Sequence, residues 1–312
     1  MDYGHIRFSV IDHKSQPQIV SSLEVLPTGT LGNSEPLFDR DIQDVVRSWV
    51  RENRLIGCQS ILGLPTGMCI NRPLMMPPLK RRAMRLAVGA ELINQLHVPF
   101  DNPVFDYTEI VTSESTKCQL IVFAADQYKV ARLQAEISKC GLYPVAVEPR
   151  VVALYRLLKT QELTSSTDFQ DILLVDVQMS WVEMSVFVGG YLLSSRSVSI
   201  RLQDYLDETR ASSENAIAAF SQELTLEVNR YLDFLRFNVD IFQKQPSDSV
   251  VIVSLGDRVQ IMAEVMEPRV DIAVCGLDLR QLVNNLRSPS DVMEAFPIAT
   301  GLGLRKGRIK WT

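Results

Sequence analysis

Histidine and clustered cysteine are what this chain of 312 residues has least of. Three histidines stand at positions 5, 13 and 97, and five cysteines, Cys58, Cys69, Cys118, Cys140 and Cys275, form no C-x-x-C pair. Metal sites need closer ligand spacing than this, so no metal ligand is assigned and the cysteines read as thiols of a reducing compartment. His5 and His13 make no nucleophile–base pattern, so a Ser-His-Asp hydrolase is not expected and no catalytic residue is assigned. The G-x-x-x-x-G-K-[ST] loop, the G-x-G-x-x-G turn and the G-x-S-x-G elbow are all missing. No apolar run reaches membrane-spanning length: the greasiest segments, 120–125 and 172–177, are strand-sized. The first residues include His5, Arg7, Asp12, His13 and Lys14 and hold no apolar block of a secretion signal. A net charge of −5 gives no long-range pull on nucleic acid, which is therefore not expected as a partner.

What is present is a globular composition, 46% apolar against 22% charged, arranged as alternating βα pattern on either side of a polar break near 165–170. The expected first lobe is 1–165 and the second 166–312. In the first, strands are expected at 6–11, 119–124 and 144–147, with helices over 127–140 and from 149 onward. Gly141 is placed to end the first of these helices at positive φ. In the second, strands are expected at 171–177, 181–188 and 191–197, the last two joined by a Gly189-Gly190 turn. Further strands at 250–255 and 270–274 bracket a helix at 257–266, and a short helix follows from Asp278.

Two insertions complete the layout. One spans 38–110, with helices at 40–52 and 79–96 and strands at 59–64 and 104–110. In its second helix Leu79, Ala83, Leu86, Ala90 and Ile93 recur at spacings of 4, 3, 4 and 3, one apolar stripe, while Lys80, Arg81, Arg82 and Arg85 crowd the first turn. That charge suits a solvated face, an acidic protein segment or lipid headgroups. The other insertion, 203–245, carries Phe220, Leu224, Val228, Tyr231, Leu235, Val239 and Phe242 at helical spacing. It predicts a long amphipathic helix packed on its own lobe, with self-association as the alternative use of the same stripe.

The candidate ligand positions are turns at strand tips. Asp176 ends a buried strand, where open α/β sheets receive ligands, and could hold Mg²⁺ through water. Ser180 and nearby amides could meet phosphate oxygens, although Gln178 fills space that a glycine would leave empty. Gly256 and Asp257 form the companion turn. In the closing Ala299-Thr300-Gly301-Leu302-Gly303 segment, Thr300 could cap a short helix and Gly301 would permit a close backbone approach.

In their order these segments resemble the PilM family, the actin-like cytoplasmic component of type IV pilus assembly. The resemblance is carried by Ile70-Asn71-Arg72-Pro73-Leu74, then 77–99, then Phe105-Asp106-Tyr107. It continues through Leu120-Ile121-Val122-Phe123-Ala124-Ala125, Cys140-Gly141-Leu142-Tyr143-Pro144, Val147-Glu148-Pro149 and Leu174-Val175-Asp176. It closes on Phe296-Pro297-Ile298-Ala299-Thr300-Gly301-Leu302-Gly303-Leu304-Arg305. It implies an α/β, actin-like ATPase (FtsA/Hsp70-like) two-lobed fold with a small inserted α+β subdomain, and a C-terminal segment returning to the first lobe. It further implies an ATP/Mg cleft at Asp176, Gln178, Ser180, Gly256, Asp257, Thr300 and Gly301. A groove at Arg72, Pro73, Leu74 and Met75 would take the cytoplasmic tail of a PilN-like inner-membrane protein, so the chain would be cytoplasmic and peripheral to that membrane. The family's Asp-x-Gly reads Asp176-Val177-Gln178 here, so nucleotide hydrolysis is expected to be weak or lost. Two alternatives share the fold: a GspL-like component of type II secretion, and an active ATPase or kinase of the actin superfamily.

Overall fold

The computed structural model describes residues 6–13, 18–25, 40–110, 118–160, 169–208, 213–237, 248–284 and 296–305. The chain divides into two compact units, each discontinuous in sequence. The first comprises Met1–Cys69, Asp126–Thr167 and Arg280–Thr312, the second Ile70–Ala125 and Asp168–Leu279.

The first unit opens with an antiparallel hairpin of β1 (Ile6–Asp12) and β2 (Gln18–Val25). Helix α1 (Arg40–Glu52) buries Ile42, Val46 and Val50, one side chain per turn. Strand β3 (Gln59–Leu64) runs parallel to β7 (Tyr143–Pro149). Helix α3 (Gln127–Lys139) begins where the Asp126 carboxylate accepts the Lys129 N–H at 3.1 Å. It ends just before Gly141, which sits at φ 93°, as a helix exit requires. Helix α4 (Arg150–Lys159) follows β7 directly, and α9 (Pro297–Gly303) packs on α4, β1 and β3.

The second unit holds a five-stranded sheet in the order β10-β9-β8-β11-β12. Strands β8 (Ile172–Val177), β9 (Val182–Val188) and β10 (Tyr191–Val198) form an antiparallel meander. Gly189 and Gly190, at φ 56° and 82°, turn β9 into β10, as the two-residue hairpin demands. Strands β11 (Ser249–Ser254) and β12 (Ala273–Asp278) add in parallel, with helix α7 (Arg258–Met266) as their crossover. Alternate residues Leu173, Val175 and Val177 of β8, and Val250 and Ile252 of β11, pack against Phe220, Leu224, Val228 and Leu235 of α6 (Ser213–Phe237). Helix α5 (Leu202–Glu208) precedes α6; α8 (Leu279–Asn284) follows β12 and, after Leu279, belongs to the first unit.

The same unit contains a three-stranded sheet, β4 (Cys69–Met76), β6 (Cys118–Asp126) and β5 (Pro103–Ile110), in the order β4-β6-β5. Helix α2 (Arg81–Asn94) covers it with Met84, Val88 and Leu92.

Three differences from the sequence reading have physical causes. Helix α1 and strand β3, expected within the 38–110 insertion, group with the first unit, because β3 pairs with β7. The strand expected at 270–274 lies later, over Ala273–Asp278, and includes Gly276. A Cβ at Gly276 would sit 2.5 Å from the Val259 carbonyl oxygen, so that glycine serves close helix–strand contact and does not break the strand. Of the expected stripe, Ala83, Leu86, Ala90 and Ile93 form the outer face of α2, not its core face, and Leu79 lies before the helix begins. Of the stripe expected on α6, Phe220, Leu224, Val228, Tyr231 and Leu235 are buried; Val239 and Phe242 lie outside the described residues.

Candidate functional site

Parallel pairing of β8 with β11 and of β11 with β12 brings Asp176, Ser254 and Asp278 to one edge of the larger sheet. This carboxyl end of parallel strands is where α/β sheets receive ligands. Asp176 is buried, and the Gln178 side chain donates an N–H to its Oδ1 at 2.7 Å. The Gln178 backbone N–H is donated to the Trp181 carbonyl at 3.0 Å, which closes the β8–β9 turn. Glu183, the register partner of Asp176 on β9, is a second buried carboxyl.

The companion turn is closed in the same way. Gly256 adopts φ 81° and donates its N–H to Asp278 Oδ1 at 2.8 Å. Asp257 is exposed and makes no side-chain cap on α7, and Arg258 reaches across to Met179 Sδ at 3.0 Å. Ser180 is exposed. A phosphate cradle needs backbone N–H groups aimed outward from a narrow turn. Here the Gln178 and Gly256 N–H groups are both donated inward, so neither is aimed at an anion.

Thr300 and Gly301, the remaining nucleotide candidates, belong to the first unit and have structural surroundings. Thr300 lies inside α9 and not at its cap; its N–H bonds the Phe296 carbonyl, and its Oγ1 is buried without a hydrogen-bond partner. A Cβ on Gly301 would fall 2.1 Å from the Ala153 carbonyl oxygen, so this glycine is what lets α9 lie against α4. The Gly301 carbonyl accepts from Arg156 Nη1 at 2.7 Å, and Arg156 also holds the buried Glu148 through two bonds of 2.8 and 3.0 Å. Arg305 completes the cluster at 2.5 Å from Glu148 Oε2. The Val147-Glu148-Pro149 and Ala299–Arg305 motifs are thus two halves of one ion-paired joint.

Of the expected partner surface, Arg72 is exposed and Met75 is 45% exposed. Pro73 is half-buried, and Leu74, at 4%, belongs to the core beneath α2. Leu74 is therefore corrected to a packing residue. Neighbouring Asn71 is buried and donates to the Leu192 carbonyl at 3.3 Å, fixing the strand that presents Arg72.

One feature the sequence did not announce is a cavity of about 360 Å³ in the first unit, lined by residues of β1, β3 and α9. Among the described residues β1 pairs with β2 and β3 with β7, and residues of both β1 and β3 line the cavity. Ser9 and Ser60 are among its lining residues, with buried hydroxyls that have no hydrogen-bond partner. No spacing rule signals such a gap, because both strands alternate normally.

No protein-family model matches the sequence, and no curated protein is similar to it in sequence. Solved structures are. The PilM of a PilM–PilN type IV pilus biogenesis complex superposes with a TM-score of 0.74 over 97% of this chain and 95% of that one, at 18% identity. The cytoplasmic domain of EpsL, an inner-membrane component of the Vibrio cholerae type II secretion system, overlaps at 0.44, with 10% identity over 84% and 89% of the two chains, too loosely to bear on function. Among the described residues no helix is long and apolar enough to cross a membrane. The fold of this chain is the actin-like, two-lobed α/β fold of PilM.

Proposed function

We propose that this chain is a cytoplasmic scaffold of a type IV pilus assembly system that binds the cytoplasmic N-terminal tail of a PilN-like inner-membrane protein. The observation that carries this reading is the likeness to PilM, which extends over nearly the whole of both chains. The tail contacts Arg72 and Met75 on β4. A guanidinium holds a carboxylate or a peptide carbonyl in fixed geometry, and an exposed methionine adapts to an irregular apolar side chain. The scaffold role does not call on ATP turnover. Each strand-tip turn that would cradle phosphate instead bonds to a neighbouring aspartate at a strand end, Gln178 to Asp176 and Gly256 to Asp278.

The test is titration of the full chain with a synthetic peptide of the tail of the PilN-like protein from the same genome. Saturable binding is expected, with affinity at least about tenfold weaker in Arg72→Glu and an unchanged melting temperature. Equal affinity of the folded variant would remove Arg72 from the site. Absence of binding to the unmutated chain would remove the proposed function.

A further inference from the structure

The outer face of α2 repeats more strictly than its inner one. Along α2, Ala83, Leu86, Ala90 and Ile93 follow the 3-4-3 spacing that defines the seam of a two-helix coiled coil, and Leu79 stands just before the helix begins. All five are exposed, Leu86 by 72% and Ile93 by 77%, while the opposite face sinks Met84, Val88 and Leu92 into the sheet below. A helix apolar on both sides is expected only where both sides are covered. Leucine or isoleucine alternates with alanine along the stripe. The alanines leave holes between the larger side chains into which the knobs of a facing helix fit. Lys80 and Arg82 flank this seam, both exposed, and the first turn holds no acid. The single acid of the helix, Glu91, lies toward the core side with its Oε2 buried.

We infer that the outer face of α2 docks an amphipathic helix of a partner protein that carries acidic residues beside its own apolar seam. Charge decides among occupants. A second copy of α2 would bring basic flanks together if parallel; if antiparallel it would offer Lys80 and Arg82 the uncharged end of the helix at Asn94. Neither supplies the acids that the flank lacks. A lipid surface is favoured by a broad apolar face of bulky side chains, whereas this seam is one residue wide and half alanine. Helix α2 has 14 residues, so the contact extends over about 21 Å, two heptads of the partner. The inference stands on α2 alone and is independent of the tail-binding site on β4.

The probe is a designed three-heptad peptide with leucine and alanine at its seam and glutamate beside it. A second version replaces the glutamates by lysine. Fluorescence anisotropy with the full chain is expected to show saturable binding of the glutamate peptide, at least tenfold weaker binding of the lysine peptide, and loss of both in Leu86→Asp/Ile93→Asp. Both positions are exposed, so the variant keeps its far-ultraviolet spectrum; Leu86→Ala/Ile93→Ala gives an uncharged second check with the same expected direction. Equal binding of the two peptides, or binding that survives both variants, overturns the inference. So does a peptide-indifferent chain that sediments with phosphatidylglycerol vesicles through this face. A concentration-dependent dimer abolished by Leu86→Asp/Ile93→Asp, with no peptide binding, would assign the face to a second copy instead.

Discussion

Gly301 and Glu148 hold the first unit together from opposite ends of the chemical scale, one by having no side chain and the other by carrying a buried charge. Adding a single methyl group at position 301 places it 2.1 Å from a backbone oxygen that cannot rotate away. Gly301→Ala is therefore expected to cost at least about 2–3 kcal/mol, as overpacking of a tight contact does, and to lower the urea midpoint. Gly57→Ala is the control: it meets nothing within 4 Å, and only its positive φ opposes it. The sequence made Gly301 readable as a place of close approach. What approaches, the Ala153 carbonyl of a helix more than a hundred residues earlier, leaves no trace in local pattern. Thr300 misled for a related reason: threonine before glycine resembles a cap, but here the helix begins earlier, at Pro297. Leu74 looked like part of a binding surface because an apolar residue beside an arginine reads identically in a groove and in a core.

Helices and strands were more legible than their partners. Residues 213–237 form α6 as their 3.6-residue period requires, and the Gly189-Gly190 turn sits where its dipeptide puts it. Period alone could not choose between the two apolar faces of α2, since both repeat at helical spacing. The face with Met84, Val88 and Leu92 won because it meets the sheet, a long-range fact. Strand β2 went unread: its Ser21-Ser22 centre interrupts the apolar alternation, yet it pairs along β1 from end to end. On α6 the two kinds of aromatic separate cleanly. Phe220 is fully buried against β8, while Phe237 is 89% exposed. Phe220→Ala is expected to lower the unfolding free energy by about 3–5 kcal/mol, and Phe237→Ala to shift it by less than about 0.5 kcal/mol. Equal effects in a denaturant series would show that the helix is seated on another face.

At the scale of the whole molecule, the actin-like architecture was legible because many weak motifs occur in one order along the chain, while the state of the nucleotide turns was not. A strand ending in aspartate is visible in sequence; whether neighbouring amides point outward or inward depends on turn geometry. Because the Gly256 N–H is donated to Asp278 and Gln178 to Asp176, Mg·ATP is expected to bind weakly. By linkage, millimolar Mg·ATP should then raise the melting temperature by less than about 1 °C, whereas a ligand at a hundred times its Kd adds about 2.7 kcal/mol. A rise of several degrees in differential scanning fluorimetry would show that the turns open to nucleotide. The joint of Glu148 with Arg156 and Arg305 has a consequence for biosynthesis. The first unit is assembled from three stretches of chain, and the last of them contributes α9 and Arg305. On the ribosome, residues 126–167 emerge well before α9, with the larger sheet of the second unit between them. At ribosomal elongation rates of about 5–20 residues per second that interval is on the order of ten seconds. During it Glu148 has no Arg305, and the surface of α4 that receives α9 is bare. The second unit can fold while it is still being made, but the first must wait for the closing segment, which makes it the half that a chaperone would hold.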